Sequence, residues 1–223
     1  MTVAWIDYLT DVLFEAPQCP DSIAIHTVRS SVIELCQQEN LWQVQLPRVT
    51  LVAANPLITL VPPVDSEIST VLDVRFYRPG DTTGKPVLGP YDNLTLNTQR
   101  PNWQDEVSQG TENSMSACTY PSPNVLRVIP VPIVSTGEIS VMVALRPTRG
   151  SAGGPDFIYQ DHLMTIVTGA LGRLLMMVNK PWANPNLASV KLELWHQMKT
   201  RAGIRSIQGT GMTSMTVYPR TLA

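Results

Sequence analysis

The residue types that carry most enzymatic chemistry are few and scattered in this chain. Its three histidines, His26, His162 and His196, have no second ligand-type residue at the spacing a metal site needs. His162 follows Asp161, but adjacent residues on a helix point apart, so the two do not assemble a general base locally. Neither an HExxH nor a GxSxG pattern is present. Gly150-Ser151-Ala152-Gly153-Gly154 precedes a predicted helix, where backbone amides can cradle a phosphate. Pro155 and Asp156 follow instead of a Lys-Ser/Thr pair, and a carboxylate repels phosphate. The stretch is therefore read as a hinge at Gly150, Gly153 and Gly154. Asp105-Glu106 falls in an irregular segment and is read as a solvated loop. Cys19, Cys36 and Cys118 are odd in number and widely spaced, which suits neither a disulfide framework nor a metal site. No cofactor or metal is expected, and no nucleophile, base and orienting group come together. The chain is expected not to be an enzyme.

Charge is the more informative signal. The formal net charge of -2 combines an acidic body with a basic end. Residues 180 to 223 hold six of the 16 basic residues and one of the 18 acidic ones. Lys191, Lys199, Arg201, Arg205 and Arg220 make up most of that end, with Trp195 and Tyr218 nearby. A basic arm implies a partner on which it lands. Sequence-specific readers of nucleic acid carry denser basic patches, so a protein partner, or DNA passing through a channel, is favoured over specific recognition.

The elements that hold these residues are legible by period. Residues 4 to 14 suit a short amphipathic helix with Trp5, Tyr8, Leu9 and Val12 on one face. Asp21 starts a second helix to about Gln38, with Ile25, Val28, Val32, Leu35 and Cys36 on its apolar face. Alternation then predicts strands at Val44 to Ala53, Leu57 to Val61, Ile68 to Tyr77, Asn124 to Val131 and Glu138 to Leu145. The stretch from Arg78 to Pro123 is irregular, with one short strand expected at Leu94 to Leu96; so long a segment suggests a working loop or disorder. Asp156 caps a third helix to about Asn179. Asn184 followed by Pro185 starts a fourth, running to about Ala202, with Leu187, Val190, Leu194 and Met198 as its expected buried stripe. The remainder, Ile207 to Ala223, is either an extended arm or a frayed terminus.

The expected fold is α+β. A four-helix antiparallel bundle is formed by residues 1–40 and 150–206, with an inserted antiparallel β lobe at 41–149 and an extended C-terminal arm at 207–223. Hydrophobic residues make up 43% and charged residues 15%, against about a quarter charged in a typical soluble domain. Such a chain either buries surface against partners or carries a polar, uncharged surface. No stretch reaches the roughly 20 apolar residues of a membrane span. The N-terminus has Asp7 and Asp11 and no basic residue, unlike a secretory signal, so a cytoplasmic setting is expected.

The order of signals carries a resemblance. Cys19-Pro20-Asp21 opens a helix ending in Glu34-Leu35-Cys36, and Trp42 precedes the strands. Ala144-Leu145-Arg146-Pro147-Thr148-Arg149 comes later, then Pro155-Asp156-Phe157. Gly169-Ala170-Leu171-Gly172-Arg173-Leu174-Leu175 and Lys180-Pro181-Trp182-Ala183-Asn184-Pro185 complete the series. Over about residues 4 to 205 this resembles the head-to-tail adaptors of tailed bacteriophages, including the tail-tube gatekeeper type. The resemblance implies a structural virion protein of the neck, assembled in the host cytoplasm. It further implies a homo-oligomeric ring of about twelve copies, docked under the portal protein and meeting a tail, nozzle or tail-terminator protein below. The ring lines the DNA channel, where non-specific DNA contact is expected, and it needs no membrane. The implied portal-binding arm comprises Lys199, Arg201, Arg205, Met215, Val217, Tyr218 and Arg220. The opposed charges suit head-to-tail contacts between subunits, or pairing within one subunit between the first and fourth helices. Two other readings stay open: a DNA-binding module using Lys191 to Arg205, and an enzyme with a dispersed site in the loop from Arg78 to Pro123.

Overall fold

The computed structural model describes residues 2–109 and 112–208. The chain opens with strand β1 (Thr2–Ala4), a 3-10 turn over Trp5–Tyr8 and helix α1 (Leu9–Glu15). Pro17 and Pro20 separate α1 from α2 (Asp21–Glu39). Strands β2 (Trp42–Gln45), β3 (Val49–Thr50), β4 (Leu57–Thr59), β5 (Ser66–Tyr77), β6 (Lys85–Pro86) and β7 (Leu88–Tyr91) lead to α3 (Asn93–Gln99). Then come β8 (Ala117–Ser122), β9 (Val125–Ile129), β10 (Glu138–Pro147), β11 (Gly153–Pro155), α4 (Asp156–Leu175) and α5 (Pro185–Gln208).

This overturns the expected four-helix bundle with an inserted antiparallel β lobe. The fold is α+β, but with five α-helices and eleven strands among the described residues, in three sheets, one of them a half-barrel. Two physical reasons stand out. Helix α1 has only seven residues, about two turns, which is too short for a bundle member. The stretch from Arg78 to Pro123 folds into β6, β7, α3 and β8 instead of remaining a loop. Of the C-terminal arm expected at residues 207–223, the first two residues, Ile207 and Gln208, end helix α5, and 209–223 lie outside the described residues.

Backbone contacts group the chain into two compact units. Among the described residues, one comprises Val3–Ser31 and the chain from Pro155 to Gln208; the other is Val32–Gly154. In the second unit β10 is the spine. It pairs antiparallel with β5 on one side and with β2 and β3 on the other. Its alternating Ile139, Val141, Val143 and Leu145 are at most 2% exposed, as a strand with one core-facing side requires. They pack with Val74 and Phe76 of β5, and with Cys118, Leu126 and Val128 of the other sheet, ordered β4-β9-β8-β7. Strands β7 and β8 run parallel, so this region is not purely antiparallel. Each aliphatic side chain so buried contributes about 1.5–3 kcal/mol relative to exposure.

Helix α3 replaces the strand expected at Leu94 to Leu96. Asp92 lies just before it, and its carboxylate accepts hydrogen bonds from the Thr95 amide and hydroxyl, each at 2.7 Å. These bonds hold the Asp92 carboxyl below its ordinary range and satisfy a free amide of the first turn. The cap outweighs the strand preference of the short apolar run. All three cysteines are free and buried; burial pushes the Cys36 and Cys118 thiols up to about 12.

Candidate functional site

Helix α5 begins where its sequence dictates. The Leu187 amide donates to Asn184 Oδ1 at 3.2 Å and the Ala188 amide to the Asn184 carbonyl at 2.9 Å, with Pro185 in the first turn. Helix α5 then packs closely against α4 because two glycines make room. A Cβ on Gly169 would stand 2.5 Å from Trp195 Nε1, and one on Gly172 would stand 2.7 Å from Leu192 Cδ2. Trp195 fills the recess and is 2% exposed. Arg173 and Lys199 place their cationic groups over its ring, at 4.4 and 4.3 Å from the centroid.

That seating sets the rotation of α5. Its inward residues are Ala188, Trp195, Lys199 and Ala202, with Leu192 at intermediate burial. The stripe expected to be buried points largely outward: Val190 is 61% and Leu194 43% exposed, while Leu187 and Met198 are half-buried. Both series recur at helical spacing. The glycines of α4 and the area of the indole decide between them, and Lys199 is tolerated inside because its ammonium rests on the ring.

The residues assigned to the arm separate. Lys199 is buried, Arg201 and Arg205 are exposed on the last turns of α5, and Met215, Val217, Tyr218 and Arg220 lie outside the described residues. Lys191 donates to Glu15 of α1 at 2.7 Å, the intrasubunit pairing between the first and last helices. Of the hinge glycines, Gly153 and Gly154 are in strand β11 and Gly150 is in the turn before it. A Cβ on Gly150 meets nothing within 4 Å. Gly150→Ala is therefore expected to leave the folded state intact and to stabilise it by about 0.4–1 kcal/mol through the unfolded chain. Denaturant unfolding checks this; a loss of stability would show that the position needs glycine.

Arg201 and Arg205 border a groove of about 390 Å³ between α4 and α5, lined also by Asp161, His162, Met164 and Met198. Burial, with a smaller push from Arg205, lowers the His162 pKa against the opposite pull of Asp161. His162 therefore takes a proton less readily folded than unfolded, so its contribution to stability is full above the ordinary 6.5. That contribution is lost as pH falls through 6.5 toward the folded value. His162→Gln is expected to flatten the acid side of the melting-temperature profile below about pH 6.5. An unchanged profile would assign the slope to other groups.

A second concavity, of about 560 Å³, lies in the Val32–Gly154 unit beside Arg100, Trp103 and Glu106. Arg100 there bonds Ser116 at 2.8 Å and the Trp103 indole donates to Asn97 at 2.8 Å. Among the described residues no cluster of His, Cys, Asp or Glu could hold a metal ion, and no helix is long and apolar enough to cross a membrane. The outward orientation of Val190 and Leu194 on α5 is not given by periodicity alone; Gly169 and Gly172, at a spacing of three on α4, are the signal that could have revealed it. Compared with known proteins, the chain matches no family model and no curated sequence at a significant level.

Proposed function

We propose that this chain is a non-catalytic assembly protein: the ring-forming adaptor that joins a phage head to its tail beneath the portal. The observation that carries this reading is the outward stripe of α5. Val190 and Leu194 project from a helix whose opposite side is fully used against α4, and the stripe ends in two exposed arginines. Apolar side chains grouped on a helix surface and bordered by charge are the usual makings of a protein–protein contact. The order of motifs along residues 4 to 205 supports the neck in particular. In this role the work is geometric. Each subunit adds a weak contact, the contacts sum around the ring, and the ring presents a site to the tail-side protein.

A DNA-binding module draws less support. Lys191 is engaged by Glu15 and Lys199 by Trp195, which leaves Arg201 and Arg205 as the exposed cations of the helix. Two phosphate contacts release few counterions, enough for non-specific contact with DNA in a channel.

The test is mass in solution by light scattering after gel filtration, with negative-stain images, for the chain alone and mixed with portal protein. A closed ring of about twelve subunits, alone or seated on the portal, is expected. A monomer or compact dimer that no portal captures would overturn the reading.

A further inference from the structure

The α5 stripe has a counterpart on the N-terminal segment of the same chain. The 3-10 turn and α1 bury Trp5, Tyr8, Leu9 and Val12, and this leaves Ile6 60% and Phe14 87% exposed. Asp7 and Asp11 are exposed between them. Neither carboxylate makes an ion pair among the described residues, whereas Glu15 is taken by Lys191 of its own chain. Arg201 and Arg205 likewise make no ion pair among the described residues. One patch is thus apolar and acidic, the other apolar and basic.

Their spacings agree as well. Asp7 and Phe14 are seven residues apart, as are Leu194 and Arg201. In helical chain that is about 10 Å in each case. We propose that α5 of one copy docks on the 3-10 turn and α1 of the next. Phe14 covers Val190 and Leu194, and Asp7 and Asp11 face Arg201 and Arg205. This rests on the assembly reading above and names the partner of its docking face. The contact joins two different surfaces of one chain; where α1 and α5 of a copy meet two different neighbours it is heterologous and passes from copy to copy. Patch-to-self pairing would set two aspartates against two aspartates, or two arginines against two arginines, and like charges disfavour it. The apolar residues form the dry centre and the ion pairs orient it.

All the residues to be changed are exposed or partly exposed, and circular dichroism verifies that each variant is folded. One variant carries Asp7→Lys with Asp11→Lys; a second carries Arg201→Glu with Arg205→Glu. In a concentration series by light scattering, each is expected to need about tenfold or more protein for half-assembly than the native chain. Mixing the two variants one to one, or combining all four changes in one chain, is expected to restore the native mass. Phe14→Ser and Leu194→Ser should each weaken assembly by a similar factor. A native chain that assembles while every variant matches it would overturn this contact and leave the ring reading standing. Variants that weaken assembly without mutual rescue would overturn it too. Loss of portal capture with self-association intact, in the Arg201→Glu and Arg205→Glu variant, would make the portal the occupant instead. A native chain monomeric both alone and with portal would remove this contact and the assembly reading together.

Discussion

Trp195→Ala is expected to cost about 3–5 kcal/mol, the range for deleting a large buried aromatic. The indole is 2% exposed and occupies the recess that Gly169 leaves in α4. Its removal opens a cavity between α4 and α5. It also takes away the ring face over which Arg173 and Lys199 lie, and Lys199 is itself only 8% exposed. A drop in melting temperature of roughly 10 °C or more should follow, with amide exchange accelerating first in α4 and α5. Trp195→Phe is the informative control. Trp195 Nε1 has no hydrogen-bond acceptor among the described residues, so phenylalanine forfeits no bond and keeps an aromatic face. A cost below about 1.5 kcal/mol is expected. A loss under 1 kcal/mol for the alanine variant would mean the helix pair closes without its indole, contrary to the packing described here.

Asn113→Ala carries the second large effect, in the Val32–Gly154 unit. The carboxamide is 2% exposed and makes four backbone hydrogen bonds. It donates to the carbonyls of Val134 and Thr136, each at 2.7 Å, and accepts from the amides of Ile133 at 2.9 Å and Val134 at 3.3 Å. It acts as a peptide-like bridge for a loop that has no ladder of its own. Alanine would leave these backbone groups short of partners, at a cost of about 2–4 kcal/mol. Asn113→Asp should do no better, because a carboxylate cannot donate to the two carbonyls. Urea unfolding measures the loss, and limited proteolysis should locate new cleavage between residues 130 and 137. Resistance equal to the native chain would show that water replaces the side chain without penalty.

The readable and unreadable parts of the fold differ in where their determinants lie. Asn184 marks a helix start through a bond made within one turn, and α2 and α4 begin at Asp21 and Asp156, acidic residues suited to a first turn, so these three starts could be read locally. The alternation of Ile139, Val141, Val143 and Leu145 likewise belongs to one strand. Strands β6, β7 and β8 escaped notice because they are short and contain Pro86, Pro90 and Pro121, which weaken any strand pattern. Helix α3 was missed because the Asp92 cap lies in a stretch rich in turn residues. The orientation of α5 had a different obstacle. Two stripes fit its sequence, and the choice depends on Gly169 and Gly172, residues of another helix. The exposed side of α5 is therefore legible only once α4 and α5 are placed together, and Lys199, expected in the portal-binding arm, is buried against Trp195.

The central position of β10 has a mechanical consequence. Its ladder bonds to β5 and β2 lie across the strand direction. A pull along β10 therefore strains many of them at once, and they must fail together. A pull across the strand would open them one after another. The sheet is stiff to tension along its spine and compliant to peeling at its edges, so the direction in which a neighbouring protein tugs on this unit matters as much as the force it applies.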